Sequence, residues 1–275
     1  MTSLPTGPAL LFCPADRTDR YAKAAQRADA VILDLEDAVA PDAKDAARRA
    51  LVTGPALDPA RTIVRVNAVG TADLAADLEA LASTPYRVVM LAKASSASDV
   101  AALQGHDVVA LVETPVGVLR VAEIAAAPNV VGLMWGAEDL LAALGGTSSR
   151  SPGGGYRDVA VHARSAVLLA ARAHGKAAID AVHLDLDDLD GLAAEAADAA
   201  ASGFTATACL HPAQVPVVRE AYRPSADEVA WARGVIEAAR HERGVFRWDG
   251  RMVDEPVLRH AAELVRRAER LGARA

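Results

Sequence analysis

The chain has 275 residues, enough for one barrel-sized domain plus an extension. Its hydrophobic share of 52% against 4% aromatics suits many tightly packed helices and excludes a disordered chain. A formal charge of −7 argues against nucleic acid as a partner, because phosphate contacts want a basic face.

Short apolar runs alternate with alanine-rich helical patterns from end to end. The first predicted strand is PALLFC, residues 8–13. The second, VILDL at 31–35, runs straight into Asp34, Glu36 and Asp37. Carboxylates packed this closely repel and resist burial, so the cluster needs compensation. A cation, a cationic substrate or a lysine/arginine cage would supply it, and so would the dipole of a helix N-terminus. Pro41 suits an early helix position before a helix over 43–51. Strand three, TIVRV at 62–66, carries Arg65 and is followed by Asn67 and a helix over 71–82. Strand four, RVVML at 87–91, leads to Lys93. Strand five, VVALV at 108–112, ends at Glu113 and precedes a helix over 116–126. Strand six, VVGLMW at 130–135, leads to Glu138 and Asp139. A glycine- and serine-rich stretch, GGTSSRSPGGGY at 145–156, reads equally as a phosphate-facing lid or a plain connector. A helix over 156–174 and strand seven, KAAI at 176–179, lead to Asp180 and His183. A helix over 189–201 and strand eight, FTATACL at 204–210, lead to His211 and Gln214.

Eight strands, each followed by a helix, predict parallel β/α units. They close most economically into a (β/α)8 TIM barrel over 1–222; a doubly wound open sheet is the competing fold. The extension, 223–275, offers a helix over 225–242 with Ser225 as its cap, a hairpin turn at Asp249-Gly250, and a last helix over 256–271. It is not needed to close a barrel, and reads as a flap, a lid or an oligomer arm. Cys13 and Cys209 fall on the first and last strands as reduced, buried thiols. No run approaches the ~18 apolar residues of a membrane span, and no signal-peptide pattern opens the chain. No membrane contact and a cytoplasmic location are therefore expected.

Chemistry on a β/α barrel sits where strands end and helices begin. Nearly every predicted strand delivers a polar or charged residue there, which solvation alone explains poorly. Glu113 and Asp139 end adjacent strands, so their carboxylates can converge on one ion. Oxygen-only ligands suit a hard cation, Mg²⁺ or Mn²⁺. His183 and His211 lie too far apart in sequence to argue for zinc, and read as hydrogen-bonding structural residues. Arg65 offers a planar fork for a carboxylate or a developing oxyanion. Lys93 would either neutralise the acidic cluster or simply end its strand.

Seven motifs, in order, carry a resemblance: FCPADRTDRYAKA (12–24), VILDLEDAV (31–39), RVNAVGT (65–71), VETPVGV (112–118), GAEDL (136–140), LHPAQV (210–215) and RMVDEPVLRHA (251–261). Together they resemble the citrate lyase β-subunit-like branch of the HpcH/HpaI aldolase/citrate lyase superfamily. The resemblance implies a Mg²⁺-dependent barrel lyase, homotrimeric or hexameric, that makes or breaks a C–C bond beside a coenzyme A thioester. It implies Glu113 and Asp139 as metal ligands, Arg65 as the group that holds substrate and stabilises the enolate oxygen, and Asp254 as acid/base reaching in from a neighbouring subunit. Phe12, Arg17 and Lys23 match the coenzyme A contacts. Asp34, Glu36 and Asp37 match a floor that buttresses Arg65 and the metal waters, with Asp37 counted among the catalytic group. One departure is MLAK (90–93), where many relatives carry proline before the lysine. The same barrel also supports a malate-synthase or thioesterase reaction, an acyl-carrier-protein-dependent citrate lyase subunit, or a non-catalytic metabolite-binding subunit.

Overall fold

The computed structural model describes residue 4, residues 7–242 and residues 244–272. Arg243, where the hairpin motif begins, and the three C-terminal residues of the expected extension lie outside the described residues. Two compact units divide the chain, Met1–Ala221 and Tyr222–Ala275.

In the first unit eight strands form a closed barrel in sequence order. They are β1 (Ala9–Pro14), β2 (Ala30–Asp34), β3 (Thr62–Val66), β4 (Val88–Leu91), β5 (Asp107–Val112), β6 (Val130–Trp135), β7 (Ala177–Asp180) and β8 (Ala206–Cys209). All neighbours pair in parallel, and β8 pairs with β1 to close the ring, with Cys209 opposite Leu11. Such strands are covered on both faces, which is why they read as unbroken apolar runs. Cys13 and Cys209 are both buried free thiols.

The barrel interior is an apolar plug that includes Ile32, Ile63, Met90, Leu111, Met134 and Ile179. Side chains alternate between the faces of a strand. Two residues beyond Ile32, Ile63 and Leu111 the inward positions are therefore Asp34, Arg65 and Glu113. Strand register reinforces this layer, because Asp34 lies opposite Arg65. The plug ends and the charged layer begins within one step of the pleat.

The same alternation corrects an expectation. Asp180 follows inward-facing Ile179, so it points away from the barrel axis. There its Oδ1 accepts the Trp135 indole N–H at 2.6 Å, and Arg164 donates to its Oδ2 at 2.8 Å. It ties β6 and β7 to the helix Asp158–Ala173 instead of joining the polar mouth. The helix expected over 116–126 is also interrupted. It forms as Pro115–Leu119 and Val121–Ala126, broken at Arg120, whose N–H is shared between the carbonyls of Val116 and Gly117. Strand eight is shorter than expected, and Phe204 precedes it as the ring under the Arg164 guanidinium.

A polar network braces the ends of β2 and β3. Lys44 donates to the carbonyls of Leu35 (2.9 Å) and Glu36 (3.1 Å) and to Asn67 Oδ1 (2.8 Å). Fully buried Asp77 accepts from the Asn67 N–H (2.9 Å), from Asn67 Nδ2 (2.7 Å) and from Arg48 Nε (2.8 Å). Buried polar groups satisfied this completely hold one geometry. The loop that carries Glu36 is thereby fixed from behind.

The second unit contains the helices Ala226–Ala239 and Glu255–Gly272 and the hairpin β9 (Phe246–Trp248) and β10 (Arg251–Val253). Ser225 and Glu228 form a reciprocal cap on the first helix. Asp249 (φ 44°) and Gly250 (φ 76°) are both left-handed, as a tight two-residue hairpin turn requires. Ala232, Val235, Val253, Ala261 and Leu264 form its core. Gly234 leaves room for Trp248, whose ring carbon would lie 3.0 Å from an added Cβ. Among the described residues no helix is long and apolar enough to cross a membrane.

Candidate active site

Arg65 is the centre of the mouth. Its Nε and Nη2 donate to the two oxygens of Asp34 at 2.7 and 2.6 Å, a bidentate fork. Its Nη1 lies 2.9 Å from Glu36 Oε2. The guanidinium carbon stands 5.0 Å from the centre of the Phe12 ring. Burial works against the Arg65 charge, but the hydrogen bonds and charge of Asp34 outweigh it and hold the guanidinium protonated. Asp34 has no exposure and also accepts the N–H groups of Glu36 (2.9 Å) and Ala38 (3.1 Å). Its oxygens are thus committed to holding one arginine in one place.

Glu113 ends β5 and is buried. Oε1 accepts the Lys93 main-chain N–H at 3.1 Å. Gly136 makes room for the carboxylate: a Cβ there would lie 2.6 Å from Glu113 Oε2. Burial, reinforced by the charge of Asp139, pushes the Glu113 carboxyl up to about 8. Asp139 lies in the first turn of the helix Ala137–Ala143, partly exposed, with its Oδ1 3.4 Å from Lys93 Nζ. Lys93 also pairs closely with Glu36 and lies 3.4 Å from Asp37 Oδ2. Burial opposes the Lys93 charge, but the hydrogen bond it donates to Glu36 and the surrounding acids raise its pKa overall.

The structure therefore brings Phe12, Asp34, Glu36, Arg65, Lys93, Glu113 and Asp139 into one layer, with exposed Asp37 at its rim through Lys93. Glu138, beside Asp139, turns elsewhere and accepts from Ser149 Oγ at 2.5 Å. Arg17 precedes the helix Thr18–Arg27 and pairs with Asp19 at 2.9 Å; Lys23 is exposed on that helix. His183 Nδ1 lies 2.9 Å from Glu195 Oε2. Gln214 donates to the His183 carbonyl at 2.9 Å and accepts the Leu210 N–H at 2.8 Å. These last residues brace loops. The stretch 145–156 is pinned as well: Arg150 pairs with Glu195 and lies 3.7 Å over Tyr156, whose ring meets Trp135 edge-on at 5.0 Å. In the second unit, Asp254 Oδ1 accepts the Val257 N–H at 3.2 Å at the start of the last helix.

Sequence reasoning missed Lys44, Arg48 and Asp77, which act through Asn67, and Gly136, which clears space for Glu113. A small residue opening GAEDL, beside an acidic strand end, was the available signal for Gly136.

The family profile described as HpcH/HpaI aldolase/citrate lyase matches residues 9–212. A citrate lyase subunit beta-like protein of Mycobacterium tuberculosis is 62% identical over 262 residues, covering 95% of this chain and 96% of that one. A crystal structure of protein CitE from M. tuberculosis in complex with magnesium, acetoacetate and coenzyme A aligns with a TM-score of 0.92 and 62% identity, covering 96% of this chain and 98% of that one. A (3S)-malyl-CoA thioesterase of Cereibacter sphaeroides is 37% identical over 280 residues, 96% of this chain and 95% of that protein.

The burial of Glu113 yields a prediction. Its carboxyl titrates higher in the folded protein than the ~4.3 of an unfolded chain, so the folded state holds the extra proton. Stability from this group is complete below the unfolded value and is lost as pH rises to about 8. Glu113→Gln mimics the protonated form. Melting of the chelator-treated protein should show Glu113→Gln more stable than wild type at pH 8.5. The advantage should shrink toward pH 5. An advantage that does not vary with pH would contradict the assignment.

Proposed function

The chain belongs to the HpcH/HpaI aldolase/citrate lyase family, and from that premise we propose a Mg²⁺-dependent carbon–carbon lyase that cleaves a β-hydroxyacyl-CoA into acetyl-CoA and a keto acid. The observation that carries this reading is the Arg65 fork. A guanidinium locked by Asp34 beside two carboxylates suits an anion that forms next to a metal-bound substrate. The substrate class is that of malyl-, citramalyl- or 3-hydroxy-3-methylglutaryl-CoA.

The donor set fits a hard divalent cation. Glu113 and Asp139 offer oxygen only, and Glu113 takes just one N–H, from Lys93, among the described residues. Among the described residues no group of three or more His, Cys, Asp or Glu gathers to hold an ion, so Glu113 and Asp139 would hold it as a pair. Magnesium commonly keeps several waters and takes one or two carboxylates. When bound, it would polarise the substrate hydroxyl or keto oxygen as a Lewis acid. Arg65 would stabilise the negative charge that develops on the thioester oxygen as the C–C bond breaks; preorganised charge of this kind is usually the largest catalytic contribution. Asp254 would give a proton to the enolate carbon, or remove one in the condensation direction, from a neighbouring subunit of a homotrimer or hexamer. Asp37, at the rim, would help orient the reacting groups through Lys93. Phe12, Arg17 and Lys23 would receive coenzyme A, with exposed Arg17 and Lys23 suited to its phosphates.

A second reading is hydrolysis of the thioester. The 37% identical (3S)-malyl-CoA thioesterase favours it. Products separate the two when purified protein is incubated with a panel of 3-hydroxyacyl-CoA esters and Mg²⁺ and read by mass spectrometry. The lyase reading predicts acetyl-CoA plus a keto acid, abolished by EDTA and restored by Mg²⁺. Free CoA with an intact hydroxy acid would assign hydrolysis instead, and full turnover in chelator would reject the metal.

The subunit-crossing role of Asp254 has its own test. Inactive Asp254→Ala and inactive Glu113→Ala proteins are mixed under conditions that permit subunit exchange. A shared site predicts recovered activity, because some sites then pair an intact metal centre with an intact aspartate. Full exchange with no recovery would contradict it.

A further inference from the structure

In the proposed reaction Lys93 only positions other groups, yet it stands between the two halves of the site. Its backbone is left-handed (φ 54°), unusual for a residue with a side chain. That conformation is held at a working position. The Lys93 N–H meets Glu113 Oε1 at 3.1 Å, and the Ser95 hydroxyl donates to its carbonyl at 2.9 Å. Strain that persists where the surroundings fix it points toward function. The ammonium then turns back across the mouth. On one side it pairs with Glu36 and approaches Asp37. On the other it lies 3.4 Å from Asp139 Oδ1.

We propose that the Lys93 ammonium is the resident counter-cation of Asp139 in the metal-free site and sets divalent-cation affinity by competing for that carboxylate. The inference rests on the reading of Glu113 and Asp139 as the metal ligands. A divalent ion that takes Asp139 meets a like charge already beside it. The ammonium has somewhere to go, because Glu36 and Asp37 are within its reach and hold it after Asp139 is given up. Lys93 is thus a positioning residue with two sets of partners, one kept and one exchanged. Glu36 also pairs with Arg65, so the exchange links metal occupancy to the arginine side of the site. Like-charge repulsion over a few ångströms in a half-buried mouth corresponds to roughly a tenfold change in affinity.

The test is calorimetric titration of Mn²⁺ into metal-free protein, with wild type, Lys93→Met, Lys93→Gly and Glu113→Gln compared at one pH and ionic strength. Met and Gly both remove the ammonium and retain the N–H that meets Glu113. They differ in backbone, since only Gly adopts the left-handed conformation without cost. Both should bind Mn²⁺ about tenfold more tightly than wild type. Thermal melts confirm that each is folded, and Lys93→Asn, whose short side chain tolerates the left-handed backbone, takes the place of Lys93→Met if that variant does not fold. Unchanged or weaker binding in the folded Lys93 variants overturns the proposal. So does tightening in Gly with none in a folded Met, which would make relief of the backbone the cause. Loss of binding in Glu113→Gln beside wild-type affinity in Lys93→Met rejects this inference alone. Wild-type binding by Glu113→Gln rejects the metal site and the inference together.

Discussion

The bidentate pairing of Arg65 with Asp34 is the constraint on which the rest of the mouth depends. Asp34 has no access to water and spends its oxygens on two main-chain N–H groups and the arginine fork. Removing one partner of such a buried pair costs about 3–5 kcal/mol, because the other charge is left stranded. The pair is therefore a fixed point. Arg65 in turn holds Glu36, Glu36 holds Lys93, and Lys93 reaches Asp139. Phe12 limits the guanidinium from its face. A chain of alternating charges thus crosses the barrel mouth from β3 to the helix after β6.

The chain of charges needs a rigid base, and the fold supplies two. Below it lies the apolar plug, whose inward positions continue directly into Asp34, Arg65 and Glu113. Behind it, Lys44 and Asp77 clamp the ends of β2 and β3 through Asn67. The electrostatics explain why that rigidity matters. A buried carboxylate such as Glu113 is unfavourable when charged unless a cation faces it. A fold that holds it in place stores the affinity that a divalent ion would release on binding.

Much of this was legible in the sequence because it follows from strand periodicity. Eight apolar runs separated by helical patterns gave the barrel, and the polar residue beyond each run marked the mouth. Glu113 followed from that rule, whereas Asp34 and Arg65 stood inside their predicted strands and drew their roles from the family resemblance. The rule failed at Asp180, where one step of the pleat turns the side chain outward to Trp135 and Arg164. It left Glu138 and Asp139 unresolved, since neighbours at a helix start diverge; Ser149 takes the first and Lys93 approaches the second. The brace through Lys44, Arg48 and Asp77 was hidden, because its partners lie 23 and 29 positions apart on different elements. The left-handed backbone of Lys93 was hidden too, because no glycine or asparagine marks it. The second unit was legible from its capped helix and its Asp249-Gly250 turn, both local signals.

Whether Asp34 acts on the proposed reaction by holding Arg65 is open to direct measurement. A double-mutant cycle measures that directly, with kcat determined for Asp34→Asn, Arg65→Lys and the pair on whichever ester of the 3-hydroxyacyl-CoA panel gives turnover. Each folded single variant should lose about two orders of magnitude or more in kcat, the scale of losing a preorganised donor. The double variant should lose no more than the worse single, because one interaction can be broken only once. A near-wild-type kcat for Asp34→Asn, or losses that multiply in the double variant, would show that Asp34 does not act through Arg65.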